Sequence, residues 1–163
     1  MIVFEDGIEA LVNQIPEISN FKPHFHWGDE TELNRYLALT EMPYPIVWLE
    51  AGKEKQDTKG LGKVTRDCKF ILATREENSD QLNNYRLRNS YDKFLNPLAD
   101  RLIEGIKKFS ITSLNSREYT LRKYPNYSKA GESVTIDLWD AITIECSVQM
   151  NTNCQKIIKW QKK

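Results

Sequence analysis

Residues 134–150 read Val-Thr-Ile-Asp-Leu-Trp-Asp-Ala-Ile-Thr-Ile-Glu-Cys-Ser-Val-Gln-Met, and a period of two runs through them. Val134, Ile136, Leu138, Ile142, Ile144, Cys146, Val148 and Met150 form one set, apolar except where Asp140 falls in it. Thr135, Asp137, Trp139, Ala141, Thr143, Glu145, Ser147 and Gln149 form the other, mostly polar. Successive side chains of a strand point to opposite faces, so this pattern predicts a long strand with one buried and one wet face. Strands commonly stop after about five or six residues. The run is therefore expected either to break near Trp139-Asp140 or to extend beyond its own domain. A bulge or bend at Asp140, where a polar residue meets the apolar face, is the expected solution.

A chain of 163 residues has room for one hydrophobic core. A single domain over residues 1–163 is expected, with a mobile loop at 50–63 and a basic C-terminal tail at 155–163. The 23 basic and 23 acidic residues cancel, so no overall field steers the chain toward nucleic acid or membrane. The N-terminus Met-Ile-Val-Phe-Glu-Asp has no basic flank or signal-length apolar core, and no stretch approaches the ~18 apolar residues that span a bilayer. A soluble, unsecreted chain is expected. Three cysteines, Cys68, Cys146 and Cys154, show no Cys-x-x-Cys spacing. Cys68 and Cys146 fall on apolar strand faces, where a reduced thiol behaves as a small hydrophobe.

Around the long strand the other elements follow in order. Ile8, Leu11, Val12 and Ile15 make one helical stripe that Pro16 ends. Phe21–Trp27 alternates but contains Pro23, which limits it to an edge strand. Asp29 and Glu32 form a capping box for a helix burying Leu33, Tyr36 and Leu37. Pro43-Tyr44-Pro45 leads into Ile46-Val47-Trp48-Leu49, a strand buried on both faces. Glu50–Lys63 carries Gly52, Gly60 and Gly62 with Lys53, Lys55, Lys59 and Lys63, and reads as a solvated loop. Alternation resumes at Val64 and runs to Ala73. A long helical stripe from Asp80 to Phe109 is interrupted by Pro97, which predicts a kink near Lys93 or two helices with Asn96 capping the second. Glu118–Tyr124 is a further strand. The fold class is α+β: a mixed or mainly antiparallel sheet of about four to five strands against two to three helices.

Constellations that carry chemistry are weak. His24-x-His26 places two imidazoles on one strand face, the start of a zinc site, but no third ligand is indicated. Glu50 and Lys53 are spaced one residue too far apart to share a strand face as nuclease groups do. Lys59-Gly-Leu-Gly-Lys63 lacks the spacing of a phosphate loop. Asp137 and Asp140 point to opposite faces. Trp139, a large aromatic on a polar face, reads as an interface or second-layer contact. No catalytic group, cofactor or metal is expected.

The order of parts resembles a known family. The carriers are Pro45-Ile-Val-Trp-Leu49, the charged loop, the strand into Phe70-Ile-Leu-Ala-Thr74, the helix centred on Leu95-Asn-Pro-Leu98, and Asp137-Leu-Trp-Asp-Ala-Ile-Thr-Ile144. Together they resemble the tail terminator, or tail-completion, proteins of long-tailed phages and prophages, of the minor tail protein U type. That resemblance implies a non-enzymatic homo-oligomeric ring, commonly a hexamer, assembled in the bacterial host cytoplasm and resident in the virion tail or neck. The ring ends tail-tube polymerisation and joins the tail to the head–tail connector. On this reading Trp139, Asp140, Asp137, Lys53, Lys55, Lys59, Lys63 and Trp160 lie at contacts with a neighbouring subunit, the tail tube protein, the connector or DNA passing through the lumen. The alternatives are another neck or adaptor component, and a small metal-dependent hydrolase using His24 and His26.

Overall fold

A computed structural model describes residues 3–39, 43–57, 62–76, 83–125, 127 and 138–152. In chain order its elements are α1 (Phe4–Val12), β1 (His24–Gly28), α2 (Glu30–Leu37), β2 (Ile46–Glu50), β3 (Glu54–Gln56), β4 (Lys63–Glu76) and α3 (Asn83–Arg86). A π-helical segment (Leu87–Leu95) follows, then α4 (Asn96–Lys108), β5 (Thr112–Leu114), β6 (Thr120–Tyr124) and β7 (Leu138–Asn151). The fold is α+β, and its mixed sheet has seven strands in five lanes, ordered β1, β2/β3, β4, β7, β5/β6. Only β1 and β2 run parallel.

The strand quoted at the outset is the centre of that sheet. β7 pairs with β4 along an unbroken antiparallel ladder from Lys63↔Asn151 to Glu76↔Leu138. The bulge expected at Asp140 is therefore absent, and over its described length β7 is matched residue for residue by β4; residues 134–137 of the expected run lie outside the described residues. The breaks lie in the flanking lanes instead. β2 pairs Glu50's neighbour Leu49 with Phe70 and β3 pairs Glu54 with Arg66, so one extra residue on the β2/β3 side forms a bulge at 51–53. Residues 54–56 of the expected solvated loop are thus a strand, because their main chain completes the β4 ladder. On the far side, β5 and β6 share β7 as partner but are offset by an insertion around 116–118. These two interruptions turn five lanes into seven strands.

The even-numbered residues 64–74 of β4 and 140–150 of β7 face α1, the π segment and α4. Phe70, Leu72, Ile142, Ile144 and Val148 pack there with Ile8, Leu11, Leu95, Leu98, Leu102 and Ile106. Burying each such side chain contributes about 1.5–3 kcal/mol. The opposite face is only partly wet: Ile71, Ala73, Trp139 and Ala141 pack with Trp48 beneath Leu33 and Leu37 of α2. The helix begins where expected, with Asp29 Oδ1 accepting from Glu32 N at 2.8 Å and Glu32 Oε2 accepting from Asp29 N at 2.8 Å. Gly28 precedes it at φ +155°, where a Cβ would run into Trp48 and Glu32. Glycine is required there because only it lets the chain turn from β1 into the cap.

Pro97 does not follow an Asn96 side-chain cap; it marks the change from the π segment, which contains Lys93, to α4. It sits in the first turn of α4, continuous with the π segment, where Asn96 N donates to Tyr91 O, five residues back. Proline has no N–H to give the carbonyl four residues earlier. That carbonyl belongs to Lys93, and Ser19 Oγ donates to it at 3.0 Å. The wider π turn makes room for the ring, and a hydroxyl from a distant turn replaces the lost donor. Ser19 and Asn20 are held at φ 50° and 68° between the mutual main-chain bonds of Ile18 and Phe21. Positive φ at both central residues is what a tight two-residue hairpin turn demands.

Candidate functional site

Two buried charged residues interrupt the apolar face of the central ladder, Arg66 on β4 and Asp140 on β7, and the structure neutralises both within the subunit. Asp140 is fully buried, and Arg86 of α3 donates from Nη1 to its Oδ1 at 3.2 Å. Tyr91 lies alongside, its phenol pushed up by burial first and by the nearby Asp140 charge second. Arg66, 1% exposed, donates from Nη1 to Glu5 Oε1 at 2.5 Å and from Nη2 to Glu50 O at 2.7 Å. Its guanidinium also stands 5.3 Å from the centroid of Phe4. These two ion pairs tie the helical layer to the two ends of the ladder. The signal for both was in the sequence, as a charge in phase with an apolar alternation.

The contact assignments need correction at Trp139 and Asp140. Trp139 is 1% exposed, and its Nε1 donates to Leu37 O at 3.2 Å. It is a second-layer contact inside the subunit, as is Asp140 on the other face, because α2 covers the half of the sheet that the alternation left polar. Lys53, Lys55 and Lys63 are exposed on the β3–β4 hairpin. Lys55 lies 3.8 Å from Asp67 with both side chains well solvated, a pair of negligible energy. Asp137, Lys59, Trp160 and the 155–163 tail lie outside the described residues.

His24 and His26 do share a strand face, but His26 is engaged: its Nε2 lies 2.9 Å from Tyr36 Oη, in a cluster with Trp48. Burial lowers the His26 pKa, proximity to His24 lowers it further, and Glu9 opposes both. Among the described residues, no group of three or more His, Cys, Asp or Glu is placed to hold a metal ion. Cys68 and Cys146 face each other across the ladder. Burial pushes both thiols up, Cys146 to about 12, which is the opposite of what a nucleophilic cysteine needs.

What the surface offers is edges. β6 is exposed at all five residues, and Tyr119, Leu121 and Tyr124 are among the exposed large side chains. Among the described residues no strand pairs with its outer side. At the opposite end of the sheet, β1 is likewise paired on one side only. Trp27 is 56% and Leu39 54% exposed. They line an open groove of about 400 Å³ with His26, Arg35, Tyr36 and Trp48. Sequence reasoning anticipated β1 as an edge from Pro23 but had no signal for the openness of β6, which depends on where the helices stop.

No protein-family model and no curated protein matches this chain. No helix among the described residues is long and apolar enough to cross a membrane.

Proposed function

We propose that this protein is a structural subunit of a phage-type tail, a tail terminator that closes into a homo-oligomeric ring on the tail tube and receives the head–tail connector. The observation that carries the reading is the pair of unlike edges, β1 and β6, at opposite ends of one sheet, each unpaired on its outer side among the described residues. A ring needs a heterologous contact in which two different surfaces of the same subunit meet, and this subunit offers two. Its polar interior is spent on intramolecular ion pairs, which suits an assembly component. The exposed lysines Lys53, Lys55 and Lys63 on the β3–β4 hairpin are suited to contact tube protein or lumenal DNA. The expected place of action is the virion tail or neck after assembly in the host.

The test is sedimentation and negative-stain microscopy of purified protein, alone and with the tail-tube protein of the same phage or prophage. Rings that cap tubes and limit their length are expected. A chain that stays monomeric at high concentration, with and without tube protein, overturns the reading. Capture of connector without any tube binding would favour a neck adaptor instead. No observation favours a hydrolase at His24 and His26.

A further inference from the structure

We propose that the β6 edge of one copy docks on the β1 edge of the next, so that the sheet continues from subunit to subunit. This rests on the ring reading above and names the surfaces that close it. Three features of the two edges converge on a second copy of this chain as the occupant.

The first is main chain. Each edge presents a row of N–H and C=O groups that no described strand satisfies, and strand addition is the direct way to pair such a row. The second is apolar area. Five of the nine large hydrophobics exposed among the described residues, Trp27, Leu39, Tyr119, Leu121 and Tyr124, lie at these two ends. Both ends therefore have apolar surface to bury, a groove beside β1 and partly exposed aromatic and aliphatic side chains beside β6. The third is charge. The β6 lane carries Arg117, Arg122 and Lys123 against Glu118, whereas the β1 end carries Glu9, Asp29 and Glu32 against Arg35. The asymmetry extends beyond the edges: residues 3–39 hold seven acidic and two basic residues, and residues 83–125 hold nine basic and four acidic. A chain of zero net charge is thus polarised between the segment that builds one end of the sheet and the segment that builds the other. Like edges repel and unlike edges attract, which selects head-to-tail association over a two-fold dimer.

The test is a charge exchange. Variant one, R117E/R122E, makes the β6 edge acidic; Lys123 is kept because its Nζ sits 5.3 Å from the Tyr91 ring centroid. Variant two, E9K/E32Q, makes the β1 edge net basic, and the glutamine amide keeps an acceptor for Asp29 N in the capping box; Glu32→Gln alone is the folding control. Each variant by itself is expected to need at least about tenfold more protein to assemble, while an equimolar mixture, in which every contact again joins unlike charges, recovers wild-type assembly. Amides of 24–28 and 120–124 are expected to gain hydrogen-exchange protection on assembly. Rings that form normally from either variant, or that leave both strands unprotected, overturn the edge contact and leave the ring reading standing. A mixture that stays monomeric although both variants melt like wild type also overturns it, as does a loss confined to nucleic-acid binding. A wild-type chain that never assembles overturns both.

Discussion

The buried pair Arg86–Asp140 offers the sharpest test of how the ladder is held to its helical layer. The Arg86 and Asp140 side chains are 3% and 0% exposed, and their contact is 3.2 Å. Replacing Asp140 by Leu leaves a guanidinium in a site that solvent does not reach. Replacing Arg86 by Met leaves a carboxylate there. Each single change is expected to cost up to about 3–5 kcal/mol, because the surviving charge loses this contact while keeping its desolvation penalty. For a domain whose whole stability is about 5–15 kcal/mol that is about a fifth of the total or more, and at this size it lowers Tm by about 6–20 °C. The double variant R86M/D140L removes both charges and puts apolar volume into a site bounded by Tyr91 and Thr74, and it is expected to fall within about 1–2 kcal/mol of wild type.

Urea titration followed by tryptophan fluorescence suits the measurement, since Trp48 and Trp139 are both buried and report loss of the packing between the sheet and α2. Coupling is read from the double-mutant cycle. Single variants that each lose less than about 1 kcal/mol, or a double variant whose loss equals the sum of the singles, would refute the reasoning. The charges would then be solvated in a way the burial does not allow.

Three further outcomes are expected. Ser19→Ala removes the donor that serves the Lys93 carbonyl above Pro97; a loss of about 0.5–1 kcal/mol in urea is expected, and none at all would mean water satisfies that carbonyl equally well. In a Cys154→Ser background, Cys68 and Cys146 are expected to react with a thiol reagent at pH 8 only as fast as the chain unfolds, since burial is the main cause that raises both thiols; labelling at the rate of a free cysteine would contradict this. His26 has its pKa lowered by burial and by His24, so below about pH 6.5 the unfolded chain binds the proton more readily than the native one. Stability attributable to this residue is therefore present above that pH and is lost as pH falls toward the folded pKa; His26→Gln should flatten that part of the melting profile, and an unchanged profile would show the imidazole to be solvated.

Much of the fold could be read from period and punctuation because the central strands are long and their burial alternates. Asp29 and Glu32 announced α2, Pro43 and Pro45 announced β2, and the β7 alternation placed the core face correctly. The errors share one physical origin. A residue's period tells which face it occupies but not what covers that face. Trp139 and Ala141 look wet by alternation, yet α2, whose Leu37 is 102 residues before Trp139 in the chain, lies over them. Asp140 looks like a ladder defect, yet Arg86 reaches it from a helix whose approach no local pattern encodes.

The same limit bears on function. A surface site built from one chain leaves traces in spacing, such as a ligand pair or a glycine loop, whereas an interface between copies leaves only edges, and edges exist only once the sheet order is known. β6 illustrates the point: Thr-Leu-Arg-Lys-Tyr reads as an ordinary half-buried strand, and only its place beside β7, beyond the reach of every described helix, leaves all five residues exposed. That exposure has a cost that a solitary subunit gains nothing by bearing, since an open edge with uncovered tyrosines invites indiscriminate pairing. Arg122 and Lys123 blunt the edge against its own kind while leaving it attractive to an acidic one. An edge guarded against copies of itself but attractive to an acidic one is what the proposed head-to-tail contact requires.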